Sequence, residues 1–436
     1  MQVSVESTEG LERRMTVELP ADKVNEALEK RLKELARTVK LDGFRPGKVP
    51  LSVVRKRFSG QVRQEVFGDL VQSSYFQALS DEKLRPAGEP SIEPLETAPD
   101  GGMGYVAIFE VMPEVMLQDI SGKLIKLPQV TVTDSDLEAM LDKLRKQRTT
   151  WNKVDREGRD GDQLTIDFKG YIDGEAFDGG SAEGVPLVLG SASMIPGFEE
   201  GLVGAKAGES RSVDVQFPET YQAQKLAGKA ARFDVTVHQV SEPILPVIDE
   251  EFAKGFGVND GGLEGLYREI RANMERELSD KVQSLVKEQA MDVLLEANSV
   301  VVPKALIRRE AEALLRQTKE NLTQRRQKSN VDLPITLFEE QAQRRVSLGL
   351  IIGEVIKQGK IELDQERVRK KVEQIAQSYE DPQEVVNYYY ANREQLSGIE
   401  NVVLEDQVVD WVMEQVQVET NPQGFDELMN PENSQG

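Results

Sequence analysis

The stretch Gly43-Phe44-Arg45-Pro46-Gly47-Lys48-Val49-Pro50 separates two amphipathic helical segments near the start of the chain. Its two glycines and two prolines fix a backbone path that neither a helix nor a strand could continue. One aromatic ring and two cations, on Phe44, Arg45 and Lys48, therefore project from a loop with few alternative conformations. The pattern predicts a rigid docking tip. The simpler interpretation is a bare turn between two helices.

The segments on both sides of this tip show two different hydrophobic periods. Apolar residues recur at every second position over Met15–Leu19, as in a half-buried strand, and at helical spacing over Val24–Leu35. A second helical stripe covers Val62–Leu79, and Tyr105–Val111 supplies a closing strand. We therefore predict a compact α+β domain that carries the docking tip between its helices.

The pattern of residues changes twice in the rest of the chain. From about Trp151 short β runs alternate with glycine turns, and Asp173-Gly174 predicts a hairpin. From Leu263 to Val416 the pattern is almost entirely helical, and Asp134–Arg148 forms a separate charged helix. The predicted limits are an α+β domain at 1–112, a linker at 113–149 whose helix packs with the C-terminal domain, a β domain at 150–243, an extended all-α domain at 244–420 and a disordered tail at 421–436.

Composition excludes most enzyme classes. The 436-residue chain has a formal net charge of −22, so any contact with RNA must be local. It has no cysteine, and we expect its single histidine, His238, to have a surface or packing role. The glycine-rich run Gly201–Gly208 matches neither a P-loop nor a dinucleotide fingerprint. We predict neither a cofactor nor a metal.

Targeting signals are not evident in the sequence. The first residues lack a basic region followed by an apolar run, and the longest apolar stretch, Leu348–Ile356, is too short to span a bilayer. We therefore expect a soluble, cytoplasmic protein.

The tip sequence Gly-Phe-Arg-x-Gly-Lys-x-Pro resembles the ribosome-binding signature of the bacterial trigger factor family. The resemblance implies a dock near the ribosomal exit tunnel, where the cations would meet RNA phosphates or acidic protein groups. The residues carried over from the signature are Gly43, Phe44, Arg45, Pro46, Gly47 and Lys48.

A second resemblance covers roughly residues 151–240. The strings Asp160-Gly161-Asp162, Phe177-Asp178, Met194–Gly201 and Phe233-Asp234-Val235 resemble the FKBP family of peptidyl-prolyl isomerases in order and spacing. The resemblance implies a half-barrel with a short helix, and an apolar cup for a proline ring with a polar residue, Asp178, at its rim. The positions that match the walls and floor of the cup are Phe168, Phe177, Met194, Ile195, Phe198, Tyr221 and Phe233. The alternative is that these side chains only build the barrel core.

Prolyl isomerisation needs no nucleophile, which suits this inventory of residues. Rotation about the bond has a barrier near ~20 kcal/mol, and the planar amide is stabilised by polar solvent. A dry cup favours the twisted form, with donors expected from the Ile195 backbone N–H and the Tyr221 hydroxyl. Phe198 stands where many single-domain members have tryptophan, and the loop at 217–228 is shortened. We therefore expect a wider, less selective cup.

The order of tip, isomerase-like middle and helical C-terminus resembles trigger factor over essentially the whole chain. It implies an ATP-independent chaperone that binds the ribosome and nascent chains and isomerises Xaa-Pro bonds, with a possible homodimer when free. We expect client holding in the helical region, mainly at helix tips near Asn321–Pro334, although stripes such as Leu306–Leu322 usually pack against neighbouring helices. The alternatives are a stand-alone prolyl isomerase with scaffolding domains and a structural ribosome-associated protein with a degenerate pocket.

Overall fold

The structure is a computed structural model. It describes residues 1–431 apart from 43, 45, 46, 96–101, 222, 259, 325–332 and 378. The chain forms two compact units, the first from residues 1–127 and 283–421 and the second from residues 128–282 and 422–436. Helices and strands are both abundant, which confirms the predicted multidomain α+β class.

The first unit contains the N-terminal α+β domain. Its strands are β1 (Gln2–Ser7), β2 (Glu12–Leu19), β3 (Ser91–Leu95) and β4 (Met103–Glu110), which form an antiparallel sheet in the order β1-β2-β4-β3. The predicted alternation is confirmed in β2, where Met15, Val17 and Leu19 are buried. Its helices are α1 (Ala21–Thr38) and α2 (Leu51–Asp81), which pack together around Leu32 and Val54.

The second unit contains a five-stranded antiparallel half-barrel. Its strands are β6 (Thr150–Val154), β7 (Gln163–Ile172), β8 (Glu175–Val188), β9 (Ser210–Gln216) and β10 (Ala230–Ile244). The long strand β10 pairs with β7 on one side and with both β6 and β9 on the other. The turn Asp173-Gly174 joins β7 to β8, as its sequence predicts. One core of alternating inward residues fills the half-barrel, with Leu164 and Val237 fully buried.

The predicted connector helix contacts the beginning of the C-terminal region, at residues 246 and 255, within the second unit. This helix is α3 (Asp134–Gln147), and Thr133 caps its first turn in a reciprocal pair of hydrogen bonds with Asp136. Near its C-terminal end the Arg145 Nε donates to the Pro246 carbonyl at 2.8 Å. The short helix α4 (Glu250–Gly255) follows, and the Arg148 guanidinium donates to its last carbonyl, at Gly255.

The helical region has the bounds α5 (Gly262–Ala297), α6 (Lys304–Gln324), α7 (Glu339–Gly359), α8 (Gln365–Ala376), α9 (Pro382–Ala391) and α10 (Arg393–Gln415). The predicted apolar stripes mostly serve packing: Ala311 and Leu314 of α6 are buried with Ala342 of α7. Leu348–Ile356 lies within α7, and Ile351 is fully buried. Among the described residues, none of the helices combines the length and apolar content that crossing a bilayer requires.

The prediction of a disordered tail from residue 421 is wrong for residues 421–431. A strand covers Gln417–Pro422 and a helix covers Phe425–Met429, in which Leu428 is buried. The strand pairs with Leu124–Gln129, and the Gln417 N–H donates to the Lys123 carbonyl. Composition suggested disorder because the amino-acid composition of a segment carries no information about its pairing with a distant part of the chain. Residues 432–436 lie outside the described residues.

Candidate functional site

The half-barrel holds an open apolar cavity of about 380 Å³. Seven of the eight residues predicted for the isomerase site line it. These are Phe168, Phe177, Met194, Ile195, Phe198, Tyr221 and Phe233. The eighth, Asp178, is exposed and is not among the lining residues; its neighbours Gly179 and Gly180 are. The elements β7, β8 and β10 each supply one aromatic ring, and the segment before the Glu200–Leu202 turn supplies the floor.

The aromatic rings of the cavity contact one another edge to face. Phe198 is 2% exposed, and its ring centroid lies 5.2 Å from that of Phe233 and 5.9 Å from that of Phe168. Phe177 extends this arrangement from the opposite wall at 6.0 Å from Phe233. Such edge-to-face pairs fix ring orientation beyond simple burial. The cavity therefore has firm walls of defined shape.

Two glycines allow these rings to lie directly against the backbone. A Cβ atom at Gly170 would lie 2.6 Å from the Phe233 ring and 2.7 Å from the Phe177 ring. A Cβ atom at Gly180 would lie 2.6 Å from the Phe177 ring. Any side chain at either position would push an aromatic wall into the cavity.

Sequence reasoning missed one wall of the cavity, formed by Phe217 and Pro218. The Phe217 ring lies 6.0 Å from that of Phe177 and 4.8 Å from that of Tyr221. The signal was present in the sequence, because Val213 and Val215 of β9 and then Phe217, the residue directly after this strand, continue one alternation and are all buried. Tyr221 is 38% exposed, so it stands at the rim.

The cavity lining also includes a backbone donor, the Ile195 N–H. Among the described residues, no group accepts a hydrogen bond from the Ile195 N–H, although Ile195 lines the cavity. An unsatisfied N–H beside an apolar cavity is costly to leave without a partner when the cavity is dry. This donor is therefore available to the carbonyl of a bound peptide.

Charged side chains hold the loop between β6 and β7 in place. The Asp162 carboxylate is buried and accepts from the Arg156 guanidinium at 2.5 Å and from the Arg159 N–H at 2.8 Å. Burial opposes ionisation of this group, but these donors outweigh it and hold the pKa of Asp162 below its usual value. Arg156 also contacts Glu242 on β10, at 3.3 Å. The ion pairs therefore fasten the loop to the barrel.

His238 occupies a surface position on β10. Its Nε2 lies 2.6 Å from an oxygen of the Asp167 carboxylate, which also accepts from the Gly184 N–H. The Gly184 N–H and then His238 lower the pKa of Asp167. Neither residue lines the cavity. Within the described part of the chain, no cluster of three or more His, Asp or Glu side chains could hold a metal ion.

The predicted docking tip lies at the turn between α1 and α2. Phe44 is 39% exposed, and Gly47 has φ of +78°, a conformation that glycine adopts without strain. Gly43, Arg45 and Pro46 lie outside the described residues. Val49 is buried against the helices and holds the C-terminal side of the tip in place.

Exposed cations surround the tip. Among the described residues, no carboxylate lies within ion-pair distance of Lys48, Lys56, Arg57 or Arg63, whereas Arg55 pairs with Glu29 at 3.2 Å. These cations give the region of the tip a local positive charge, although the whole chain has a net charge of −22.

Comparison with known proteins agrees with this geometry. Residues 154–238 match the family FKBP-type peptidyl-prolyl cis-trans isomerase, so the half-barrel and its aromatic cavity define a prolyl isomerase domain of the FKBP type. Residues 1–144 match the family Bacterial trigger factor protein, and residues 262–414 match the C-terminus of that family.

Relatives extend the match to the full chain. A trigger factor of Alkalilimnicola ehrlichii is 48% identical over 432 residues, covering 99% of this chain and 96% of that protein. A trigger factor of Pseudomonas putida is 49% identical over 434 residues, covering 99% and 98%. A solved trigger factor chaperone with promiscuous substrate recognition aligns over 95% of this chain and 100% of its own, with 19% identity and a TM-score of 0.48. The chain belongs to the bacterial trigger factor family.

Membership of this family assigns the general function. The chain is a chaperone with an N-terminal ribosome-binding domain and an FKBP-type domain that isomerises Xaa-Pro bonds. The predictions of family, enzyme class and general function are thereby confirmed.

Proposed function

We propose that the cavity lined by Phe168, Phe177, Phe198 and Phe233 is the catalytic cup of the isomerase. The observation that carries this proposal is the series of edge-to-face aromatic contacts, from Phe168 through Phe198 and Phe233 to Phe177, that lines an apolar space. A proline ring in this space leaves water, and its preceding amide loses the solvation that stabilises the planar form. Rotation proceeds without forming or breaking a covalent bond.

Groups at the rim then hold the rotating peptide. The Ile195 N–H donates either to the carbonyl of the residue before proline or to the carbonyl of the proline itself. The Tyr221 hydroxyl offers a second donor. Met194 adds an adaptable apolar contact beside them. Asp178, which lies outside the lining, acts at most on groups that extend beyond the cup. The proposed limits of this domain remain 150–243, supported by the strands β6 to β10.

For the ribosome, we assign the dock to Phe44, Arg45, Lys48 and the backbone turn of Gly43, Pro46 and Gly47. Phe44 is an exposed aromatic anchor, and no carboxylate among the described residues pairs with the Lys48 ammonium group. The cations would contact RNA phosphates or acidic protein groups, with only a few phosphates neutralised. The surrounding Lys56 and Arg57 strengthen attraction at long range.

The helical region is proposed to hold unfolded clients. Several large apolar side chains remain exposed there, including Val301, Leu337, Tyr379 and Tyr388, each more than half exposed. Separated patches of this kind give weak, plural contacts, which a client can leave without ATP hydrolysis. The helix tips near Asn321–Pro334 were predicted to contribute most, and residues 325–332 of them lie outside the described residues.

Two finer points complete the proposal. Free protein would form a homodimer in which the docking face is covered, since Phe44 is an exposed apolar side chain at that face. Ribosomes would compete with this dimer, and sedimentation velocity with and without ribosomes measures the competition. The ribosome-binding function supports a cytoplasmic location, which we propose.

Co-sedimentation with ribosomes tests the dock. The variant Phe44→Ala/Arg45→Ala/Lys48→Ala is expected to bind at least about tenfold more weakly, since aromatic and arginine anchors commonly dominate an interface. A matched control removes the same residue types from exposed positions at the other end of α2, in Phe76→Ala/Lys83→Ala/Arg85→Ala. Wild-type binding by the first variant, or equal loss in both, contradicts the assignment.

Salt dependence separates charge from apolar contact in this dock. Because few phosphates are neutralised, wild-type affinity should fall with a shallow slope as salt rises. The triple variant should show a still shallower slope. An unchanged slope would mean that Arg45 and Lys48 do not contact phosphate.

A further inference from the structure

We infer that Glu199 is a positioning residue for prolyl isomerisation, which holds the loop of residues 191–195 so that the Ile195 N–H faces the catalytic cup. The inference rests on the proposed function of that cup. Nothing in the chemistry of prolyl rotation requires a carboxylate, so the role is to orient the donor and not to exchange a proton.

The Glu199 carboxylate binds three consecutive backbone N–H groups. Its Oε1 accepts from Ser193 N–H at 2.8 Å and Met194 N–H at 3.1 Å, and its Oε2 accepts from Ala192 N–H at 3.1 Å. Two hydroxyls add further donors, Ser191 Oγ at 3.3 Å and Ser193 Oγ at 3.2 Å. One buried side chain thereby fixes the backbone direction of a whole loop.

The next N–H along the chain belongs to Ile195, which lines the cup. Residues 192, 193 and 194 each donate to Glu199, and the Ile195 N–H is left without an acceptor in the described structure. The carbonyl of Ile195 is in turn fixed by the Phe198 N–H at 3.1 Å. The peptide groups that precede and follow the Met194–Ile195 peptide are therefore held, which gives the Ile195 N–H between them a defined direction.

The same short segment also carries the floor of the cup. Phe198 immediately precedes Glu199, and both side chains are buried, at 2% and 5% exposed. Phe198 faces the cavity, whereas Glu199 is not among its lining residues and lies against the loop. One segment thus joins the apolar floor to the polar donor, and a shift in either would misalign the two.

The loop requires such a tether. Ala192 has φ of +52°, a left-handed conformation that costs a non-glycine residue free energy. Its N–H is held by Glu199, so the carboxylate stabilises the strained residue directly. Burial opposes ionisation of Glu199, but the N–H groups of Met194, Ala192 and Ser193 outweigh it and keep its pKa below the usual value.

The following residue provides a matched control for charge. Glu200 is exposed, carries the same side chain and makes no hydrogen bond or ion pair through its carboxylate in the described structure. Glu199→Gln keeps the shape and one acceptor oxygen, while Glu200→Gln removes a charge at the neighbouring position. Any effect of net charge on substrate binding should appear equally in both variants.

The decisive experiment measures prolyl isomerisation by the full chain on a short Xaa-Pro peptide. Glu199→Gln is expected to lower kcat/KM about tenfold or more, mainly in kcat, because the apolar cup still binds the peptide while the donor is misaligned. Glu200→Gln should remain within about twofold of wild type. Val237→Ala, a fully buried residue of the barrel that does not line the cup, controls for lost stability at temperatures where it remains folded.

Hydrogen exchange of the wild-type chain tests the inference without a variant. Read at single-residue resolution, the amides of 192, 193 and 194 should exchange slowly, and that of Ile195 should become protected only when the Xaa-Pro peptide is added. Glu199→Gln should accelerate exchange at 192–194. Absence of protection at Ile195 overturns the inference, even if the variant fails to fold.

The outcomes distinguish this inference from the proposed function. If Phe198→Ala abolishes activity while Glu199→Gln retains it, the cup stands and the role of Glu199 is refuted. If neither Phe198→Ala nor Glu199→Gln loses activity, the assignment of the catalytic cup itself is wrong. If Val237→Ala loses as much activity as Glu199→Gln when both are folded, the effect is one of stability and the positioning role is rejected.

Discussion

Phe198→Ala is the most direct perturbation of the catalytic cup. The side chain is 2% exposed and contacts the rings of Phe168 and Phe233. Its removal opens the floor to the barrel interior and admits water beneath the proline ring. We expect the free energy of unfolding of the isomerase domain to fall by about 3–5 kcal/mol, the usual cost of deleting a buried aromatic ring.

The effect on catalysis follows from the same geometry. A wet floor restores solvation of the planar amide, and the lost ring removes contact with the twisted form. Each tenfold loss in rate corresponds to about 1.4 kcal/mol of the barrier. We therefore expect kcat/KM to fall by about tenfold to a hundredfold, well within the energy that one buried aromatic can supply.

The assay combines activity with domain-specific unfolding. In a Trp411→Phe background, Trp151 on β6 is the remaining tryptophan and reports unfolding of the half-barrel. Leu164→Ala is a matched control, because Leu164 is fully buried in the same core but does not line the cup. It should lose about 2–5 kcal/mol of stability and keep its activity while folded. A folded Phe198→Ala protein with wild-type activity, or equal loss in the control, would refute the reasoning.

Two further predictions concern the buried ion pair and the helical region. The folded-state pKa of Asp162 lies below its usual 3.8, since Arg156 and the Arg159 N–H outweigh burial, so its stabilisation is present above that value and lost as pH falls through the folded pKa. Asp162→Ala should therefore cost about 3 kcal/mol at pH 7 and flatten the acid limb of a urea-unfolding series; an unchanged acid limb would contradict this. A chain lacking residues 303–416 should fail to suppress aggregation of a refolding client, whereas Phe198→Ala should still suppress it. Light scattering measures both, and full suppression by the deletion would move client holding to the N-terminal domain.

The sequence predicted the elements that carry local signals. The alternation of Met15, Val17 and Leu19, the turn at Asp173-Gly174 and the helix that begins at Asp134 all depend on residues close together in the sequence, and the structure shows each of them. Most cup residues were predicted through resemblance, because their assembly depends on three strands and on loops between residues 168 and 233 of the chain. Local chemistry therefore predicts elements better than it predicts cavities.

Features that depend on tertiary packing were missed. Phe217 was not named as a residue of the cup, yet its N–H donates to the Lys229 carbonyl just after β9, and its ring lies beside Phe177. The role of Glu199 could not be read from its position among many acidic residues, because only the folded loop brings three N–H groups to its carboxylate.

The first compact unit is built from two separate stretches of the chain, residues 1–127 and 283–421, and this affects how the protein folds during its own synthesis. Within it, the Glu110 carboxylate accepts from the Ala305 N–H at 3.0 Å, although residues 128–282 form a separate unit between them. At about 5–20 residues per second, translation would supply Ala305 roughly ten to forty seconds after Glu110. The N-terminal sheet and its tip emerge and fold long before their helical neighbours exist. A newly made copy thus passes through a stage at which it is itself a partly exposed nascent chain, with a finished isomerase barrel before its larger unit is complete.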